Sequence, residues 1–503
     1  MSNFAIAAGD HLTAEAAADV LRAGGNAVDA AIAAAMTACV TEPVLASLLG
    51  GGFMMVRQPD GKAKLLDFFV QTPKRKVALG ELDFRAIEAD FGETTQSFHI
   101  GAGSIATPGV ARGLAEAHAR YGVTPFTDLA APATRIAKEG VPLAAFQAGV
   151  LEIVKPIYVA TPEAAKTFGN GERPLQAGEI LRNPALADVI ETFAREGDRF
   201  MYEGEVAGAI LSLDGGHLSA DDLKDYQAVW REPLVEKRGG ARIIMNPPPA
   251  LGGALISFAL RMMAADDTPT DITRAFAATS RARVESRISQ DAVGGASRLL
   301  APDLVVMYQK ELMRRKAAQR GTTHISVIDK DGLGAAITLS NGEGCGLIAP
   351  GTGLMPNNML GEEDLMPGDW HEWGADMRLS SMMTPMSIEW PDGRAVMMGS
   401  GGSNRIRTAL ARVASQIVDH GARLEQAINA PRIHVEGADT PRVDFEDRFR
   451  DDHRAALLSA FPEATPWSIT SMFFGGVHGV QRDAKGGMDA AGDPRRNGIA
   501  LVG

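Results

Sequence analysis

Between positions 13 and 40 the small, apolar and polar residues are arranged for two successive helices. Thr13-Ala14-Glu15 opens the first and Gly24-Gly25-Asn26 ends it. Asn26-Ala27-Val28-Asp29-Ala30-Ala31 starts the second, an alanine-rich helix suited to close packing on a sheet. Glu42-Pro43 stops that helix, and Leu48-Leu49-Gly50-Gly51-Gly52-Phe53-Met54-Met55-Val56 turns through three glycines into an apolar strand. Residues 105 to 300 are predicted to be mostly helical, punctuated at Pro108, Pro125, Pro132 and Pro142. Within them, Ser219 followed by Asp221 and Asp222 marks a helix start, and Pro247-Pro248-Pro249 before Gly252-Gly253 is a rigid corner feeding another helix. Residues 308 to 320 read as a solvated helix rich in Arg and Lys that stops just before Gly321.

From position 322 the pattern changes to short strands and glycine turns. Val327 and Ile328 are β-branched, Asp331-Gly332 supplies a hairpin turn, and Ala335-Ala336-Ile337-Thr338-Leu339-Ser340 resumes extended character. Further on, Ala395-Val396-Met397-Met398 is a strand entering Gly399-Ser400-Gly401-Gly402-Ser403, with a helix from Asn404. Backbone N–H groups at such a junction can cradle an oxyanion, or the loop can simply anchor the helix. The earlier run Gly50-Gly51-Gly52 precedes a strand rather than a helix, so it fails the context of a dinucleotide-binding loop.

The bulk properties narrow the function. At 503 residues, about three quarters of the unfolded surface can be buried, and length alone suggests roughly three domains. A net charge of −12 argues against nucleic acid or an anionic membrane as main partner. No segment approaches the length of a membrane span. The start of the chain lacks both a basic region and the apolar core of a secretory signal, so a cytoplasmic location is expected. Cys39 and Cys345 are the only cysteines, which implies no disulfide framework; Cys39 is expected in packing and Cys345 in a glycine-rich loop.

The candidate chemistry lies in Gly321-Thr322-Thr323-His324. A threonine hydroxyl is a poor nucleophile at neutral pH unless a base sits beside it, and the most local base is a free α-amine on the same residue. That amine exists only if the bond before Thr322 is cut. Gly321 suits such a bond by tolerating strained geometry and leaving its carbonyl open to attack. Such a stretch alone is far more often a structural entry to a hairpin; other segments shift the balance.

Gly24-Gly25-Asn26-Ala27-Val28-Asp29-Ala30-Ala31 with Glu42-Pro43, Pro108-Gly109-Val110 with Gly113, Met245-Asn246-Pro247-Pro248-Pro249 with Gly252-Gly253, Thr322-Thr323-His324, Asn357-Asn358, Ser380-Ser381-Met382 and Ala430-Pro431-Arg432 occur in one order along nearly the whole chain. This ordered set resembles the γ-glutamyltranspeptidase family of N-terminal-nucleophile hydrolases. The resemblance implies an αββα sandwich built jointly by a large subunit, residues 1 to 321, and a small subunit, residues 322 to 503, after self-cleavage at Gly321/Thr322. It implies that Thr322 attacks an amide carbonyl with its own α-amine as base, and that the oxyanion is held at Gly402 and Ser403. Ser340 would tune the nucleophile with help from Thr338, Thr323 and His324 would shape the cleavage turn, and Ser380 and Ser381 would bind the glutamyl carboxylate. A small amide or peptide substrate is implied, with no metal or organic cofactor.

Several departures bear on substrate. The family's Asp-Phe-Arg-Glu segment reads Asp67-Phe68-Phe69-Val70, so an arginine that would grip a carboxylate is replaced by Phe69. Met359 follows Asn357-Asn358 where a Gln or Glu is usual, and Glu362 takes the next acidic position. The family's asparagine after the strand aligns with Gly342, or with Asn341 if the loop shifts by one. Lys74 and Arg75 could supply a displaced carboxylate contact, although side chains beyond a loop proline tend to face solvent. The expected activity is therefore amide hydrolysis or acyl transfer on a γ-glutamyl or related acyl amide. The alternatives are an acylase for a non-glutamyl amide and, in another class, an unprocessed homologue with a binding role.

Overall fold

The computed structural model describes residues 2–90, 95–311, 322–362, 365–366 and 370–503. Two antiparallel sheets face each other. The first has seven strands in the order Ile499–Val502, Phe4–Ala8, Thr323–Asp329, Gly334–Ser340, Gly51–Arg57, Ala63–Phe68 and Val229–Arg231. The second has six, in the order Met488–Ala491, Gly476–Arg482, Ala395–Gly401, Met386–Glu389, Ala241–Met245 and Leu234–Arg238. Helices His11–Arg22 and Ala27–Thr41 cover the outside of the first sheet, and Gly252–Met262 and Arg405–Val418 cover the second. This is the four-layer αββα arrangement. The first sheet alternates strands from both ends of the chain, so residues before 321 and after 322 share one hydrogen-bonded sheet.

Local sequence explains the elements nearest the site. Asp10, one turn ahead of the expected start, caps the first helix by accepting from Leu12 N and Thr13 N. Asn26 and Asp29 form a capping box that opens the second, whose alanines are buried throughout. Ser219 and Asp222 form another capping box. The expected helical region from 105 to 300 also contains strands Val229–Arg231, Leu234–Arg238 and Ala241–Met245, whose alternation is too short to stand out between helices. The helix before the cleavage candidate runs Pro302–Glu311; the remainder of the expected Arg/Lys-rich segment, with Gly321, lies outside the described residues.

The Thr323–Asp329 strand divides its side chains between two layers. Ile325 and Val327 join Ile337 and Leu339 in the apolar layer beneath the Ala27–Thr41 helix. His324 and Ser326 face the other way, toward the second sheet, and bond to each other through His324 Nε2 at 2.8 Å. The Gly50-Gly51-Gly52 run is a packing device, since a side chain on Gly50 would meet the Ser340 carbonyl at 2.3 Å.

Candidate active site

Thr322 stands at the mouth of the hairpin Thr323–Asp329/Gly334–Ser340. The register that pairs Thr323 with Leu339 and His324 with Thr338 sets Ser340 opposite Thr322, and both line one cleft. The strand Ala395–Gly401 reaches the same cleft from the second sheet and delivers Ser403 to it. Gly401 passes so close to Thr322 that an added Cβ would fall 2.0 Å from the Thr322 carbonyl oxygen. Gly402 and Ser403 both have positive φ, 117° and 49°. For Ser403 that conformation is uncommon, and it turns the loop into the helix Arg405–Val418. Ser380 and Ser381 complete the polar lining. Ser381 Oγ accepts from Met383 N at 3.1 Å, and its carbonyl accepts from Leu251 N and Gly252 N, which fixes the pair on the corner after Pro247-Pro248-Pro249.

The lining also holds the Asn404 amide and the Glu362 carboxylate, and its apolar half is Phe69, Leu251, Met359, Leu365, Met382, Met383 and Ile406. No Lys or Arg is among the described residues that line it. Phe69 is 1% exposed and stacks on Phe53 with centroids 5.5 Å apart. Lys74 points elsewhere, pairing with Asp225 and donating its backbone N–H to Asp222 at 2.6 Å. Asn341 does not line the cleft; its Nδ2 donates to the Met355 carbonyl at 3.3 Å. At Gly342, φ is +65° and an added Cβ would meet Asn358 Oδ1 at 2.2 Å and Glu362 Oε1 at 2.3 Å, so no side chain fits there. Asn357 and Asn358 tie loops together: Asn357 holds Ala106, Leu49 and Met359 backbone, and Asn358 Oδ1 accepts from Glu343 N and Gly344 N.

Three side chains around Thr322 act from outside the cleft. Arg496, near the C-terminus, donates through Nη1 to the Thr322 carbonyl at 3.1 Å. Its backbone N–H donates to the Asp493 carbonyl, and Asp493 in turn pairs with Arg432 and Arg495, and Arg495 with Glu446, in a buried ion-pair network. Arg432 belongs to the sequence motif Ala430-Pro431-Arg432, but nothing local marks Asp493 as its partner. Burial lowers the Arg496 guanidinium to about 10, which leaves it cationic at neutral pH. Glu42 is the second: its Oε2 accepts from Thr323 Oγ1 at 2.7 Å, and its carboxyl is pushed up to about 8 by burial and then by Asp10. The third is His324, whose Nδ1 bonds Thr338 Oγ1 at 2.7 Å. Burial holds it well below the usual imidazole range, so it is neutral. Thr338 is therefore engaged with His324, two residues along the strand from Ser340 in the cleft.

Cys39 and Cys345 are both buried and their thiols are raised by desolvation, Cys345 to about 12, so neither is poised as a nucleophile. Among the described residues, no three His, Cys, Asp or Glu side chains are placed to hold a metal ion, and no helix is long and apolar enough to cross a membrane.

Thr322 thus stands at a strand end between the two facing sheets, beside the Gly402–Ser403 loop. The family model Gamma-glutamyltranspeptidase matches residues 13–503, and the chain belongs to that family. It is thus an enzyme of the amide-hydrolase and acyltransferase class. It is 29% identical to a glutathione hydrolase proenzyme of Pseudomonas aeruginosa over 99% of this chain and 94% of the relative. It is 27% identical to the Acylase ACY 1 proenzyme of Pseudomonas sp. strain V22 over 95% of this chain and 88% of the relative. The crystal structure of a cephalosporin acylase from Bacillus halodurans superposes with a TM-score of 0.83 at 23% identity, covering 99% of this chain and 96% of that one.

Proposed function

We propose that the chain is a self-processing amidohydrolase with Thr322 as nucleophile, acting on amides whose acyl group is not glutamyl. Cleavage at Gly321/Thr322 divides it into residues 1–321 and 322–503, which stay joined through the shared sheet. The freed α-amine takes the Thr322 Oγ proton as Oγ bonds to the substrate carbonyl carbon; the C–N bond then breaks and the amine leaves with that proton. Water cleaves the resulting ester and restores the threonine. The oxyanion is held at the Gly402–Ser403 loop, and Ser340, across the ladder, orients the nucleophile. An α-amine titrates near pH 8, so much of it is available as free base under ordinary conditions.

The observation that carries the substrate reading is the lack of any Lys or Arg among the described residues lining the cleft, with Phe69 buried against Phe53 at its wall. A carboxylate entering such a site loses its hydration without a cationic partner, and burying an unpaired charge is costly. Relatives named acylases support the same reading.

The test is the denaturing intact mass of the protein beside Thr322→Ala, followed by hydrolysis of γ-glutamyl and alkanoyl p-nitroanilides. Two fragments meeting at Gly321/Thr322, absent from the variant, with alkanoyl turnover exceeding γ-glutamyl turnover, are expected. A chain that stays uncut under all folding conditions would rule out the N-terminal base, and faster γ-glutamyl turnover would rule out the substrate reading.

A further inference from the structure

A cavity of about 500 Å³ adjoins the Thr322 cleft, within the range that encloses a small organic ligand. Ser380 and Leu365 line both spaces, so the two meet at that wall. Met366, Trp373 and Leu379 are buried in its lining and make it apolar. Its mouth carries exposed Met377 together with the carboxylates of Glu372 and Asp291, and Asp291 is already paired with Arg298. Arg378 also borders the cavity, but its guanidinium is spent on protein groups. It donates to the carbonyls of Phe69 and Gln227 and to Tyr226 Oη, and it pairs with Asp67. Besides the uncharged Thr72, Ser289 and Gln290, the described lining therefore offers mainly apolar surface and, at Glu372, negative charge.

We propose that this cavity is a subsite for the tail of the acyl group, a neutral apolar chain that runs past Ser380 from the carbonyl attacked at Thr322. The inference rests on the amide-hydrolase reading above and adds the chemical class of the acyl half. Two physical points assign the chamber to that half. The amine must leave before water attacks, whereas the acyl group stays esterified, so a walled space beside the nucleophile suits the half that remains. The Glu372 carboxylate at the mouth repels a tail that ends in a carboxylate and leaves a hydrocarbon tail unaffected.

The experiment uses the self-processed protein with straight-chain alkanoyl p-nitroanilides from acetyl to decanoyl, a carboxylate-ended chain of matched length, and N-acetyl amides of increasing amine length. Beyond the first few carbons, kcat/KM should rise about fourfold per methylene until the cavity is full. Amine length should have little effect. Ala292→Phe, at a half-buried position of the cavity wall, should flatten the alkanoyl series while acetyl turnover and self-processing persist. Met377→Arg, at the exposed mouth, should raise turnover of the carboxylate-ended chain at least severalfold. A flat alkanoyl series with intact acetyl turnover, a dependence on amine length instead, or an unchanged slope in both variants would overturn the subsite alone. A protein that cuts itself yet hydrolyses none of these amides would overturn the amide-hydrolase reading and the subsite with it.

Discussion

Thr323 Oγ1 donates to Glu42 Oε2 at 2.7 Å, joining the residue after the nucleophile position to the end of the Ala27–Thr41 helix. The two lie 281 positions apart in sequence. Thr323 projects toward the outer helices and Thr322 toward the cleft, so this bond fixes the strand end from behind without touching substrate. Thr13 Oγ1 adds a longer bond to Glu42 Oε1 at 3.4 Å.

Glu42 gives the first prediction. In the folded chain it keeps its proton to about pH 8, against an ordinary value of 4.5. The folded state then binds more protons than the unfolded one across that window, so stability falls as pH rises through it, by at most roughly 1.4 kcal/mol per pH unit. Asp10 faces the same carboxyl and Arg496 partly offsets both. Glu42→Gln should preserve a bond to Thr323 and remove this slope; Glu42→Ala should instead slow self-cleavage. Urea midpoints at about pH 5 and about pH 8 provide the check, and equal slopes for the protein and Glu42→Gln would refute the assignment.

Arg496 gives the second. A hydrogen bond from a charged donor contributes about 1.5–3 kcal/mol, so Arg496→Ala should slow self-cleavage roughly ten- to hundredfold if that bond holds Thr322 in its attacking position. The time course of fragment appearance by denaturing mass measures it. A normal rate in a folded variant would show that the contact to the Thr322 carbonyl does not matter for processing.

The buried histidines set an acid limb. His324 is held well below its usual range, and His434 and His478 fall to about 4, all chiefly through burial. Below about pH 6.5 the unfolded chain takes up protons that the folded chain refuses, so stability falls with falling pH, by up to roughly 1.4 kcal/mol per unit for each group. Replacing His324 by Gln should shallow that limb in urea unfolding between about pH 6.5 and about pH 4.5. An unchanged limb would mean that His324 is charged in the folded state.

Phe69 tests whether one residue separates this cleft from a glutamyl site. Phe69→Arg would bury a guanidinium against Phe53, where the neighbouring Phe69 carbonyl is already bonded by Tyr226 Oη and Arg378. At a cost of about 2 kcal/mol or more it should lower the melting temperature by about 2 °C or more, and leave γ-glutamyl turnover below alkanoyl turnover. A tenfold gain in γ-glutamyl turnover at unchanged stability would make Phe69 the sole barrier.

The sequence by itself determined the local elements and the order of the motifs. Capping residues such as Asn26 and Ser219 act within one turn, and the β-branched run around Thr322 declares its strand, because these effects depend on neighbours a few positions away. The loss of a cation at Phe69 was equally legible, since it is a change of residue type at a motif position. What only the tertiary structure decided are relations across long separations. The strands between 229 and 245 are too short to show a period, and they form by pairing at the edges of the two sheets. Asn341 turned to Met355, Thr338 to His324, and Gly342 was closed against any side chain, because loop packing rather than alignment sets those directions. Arg496 and Glu42 reach Thr322 and Thr323 from opposite ends of the chain, and the cavity beyond Ser380 is walled by residues from several separate segments. Such contacts exist only once the two sheets have closed on each other, so no local pattern in the chain encodes them.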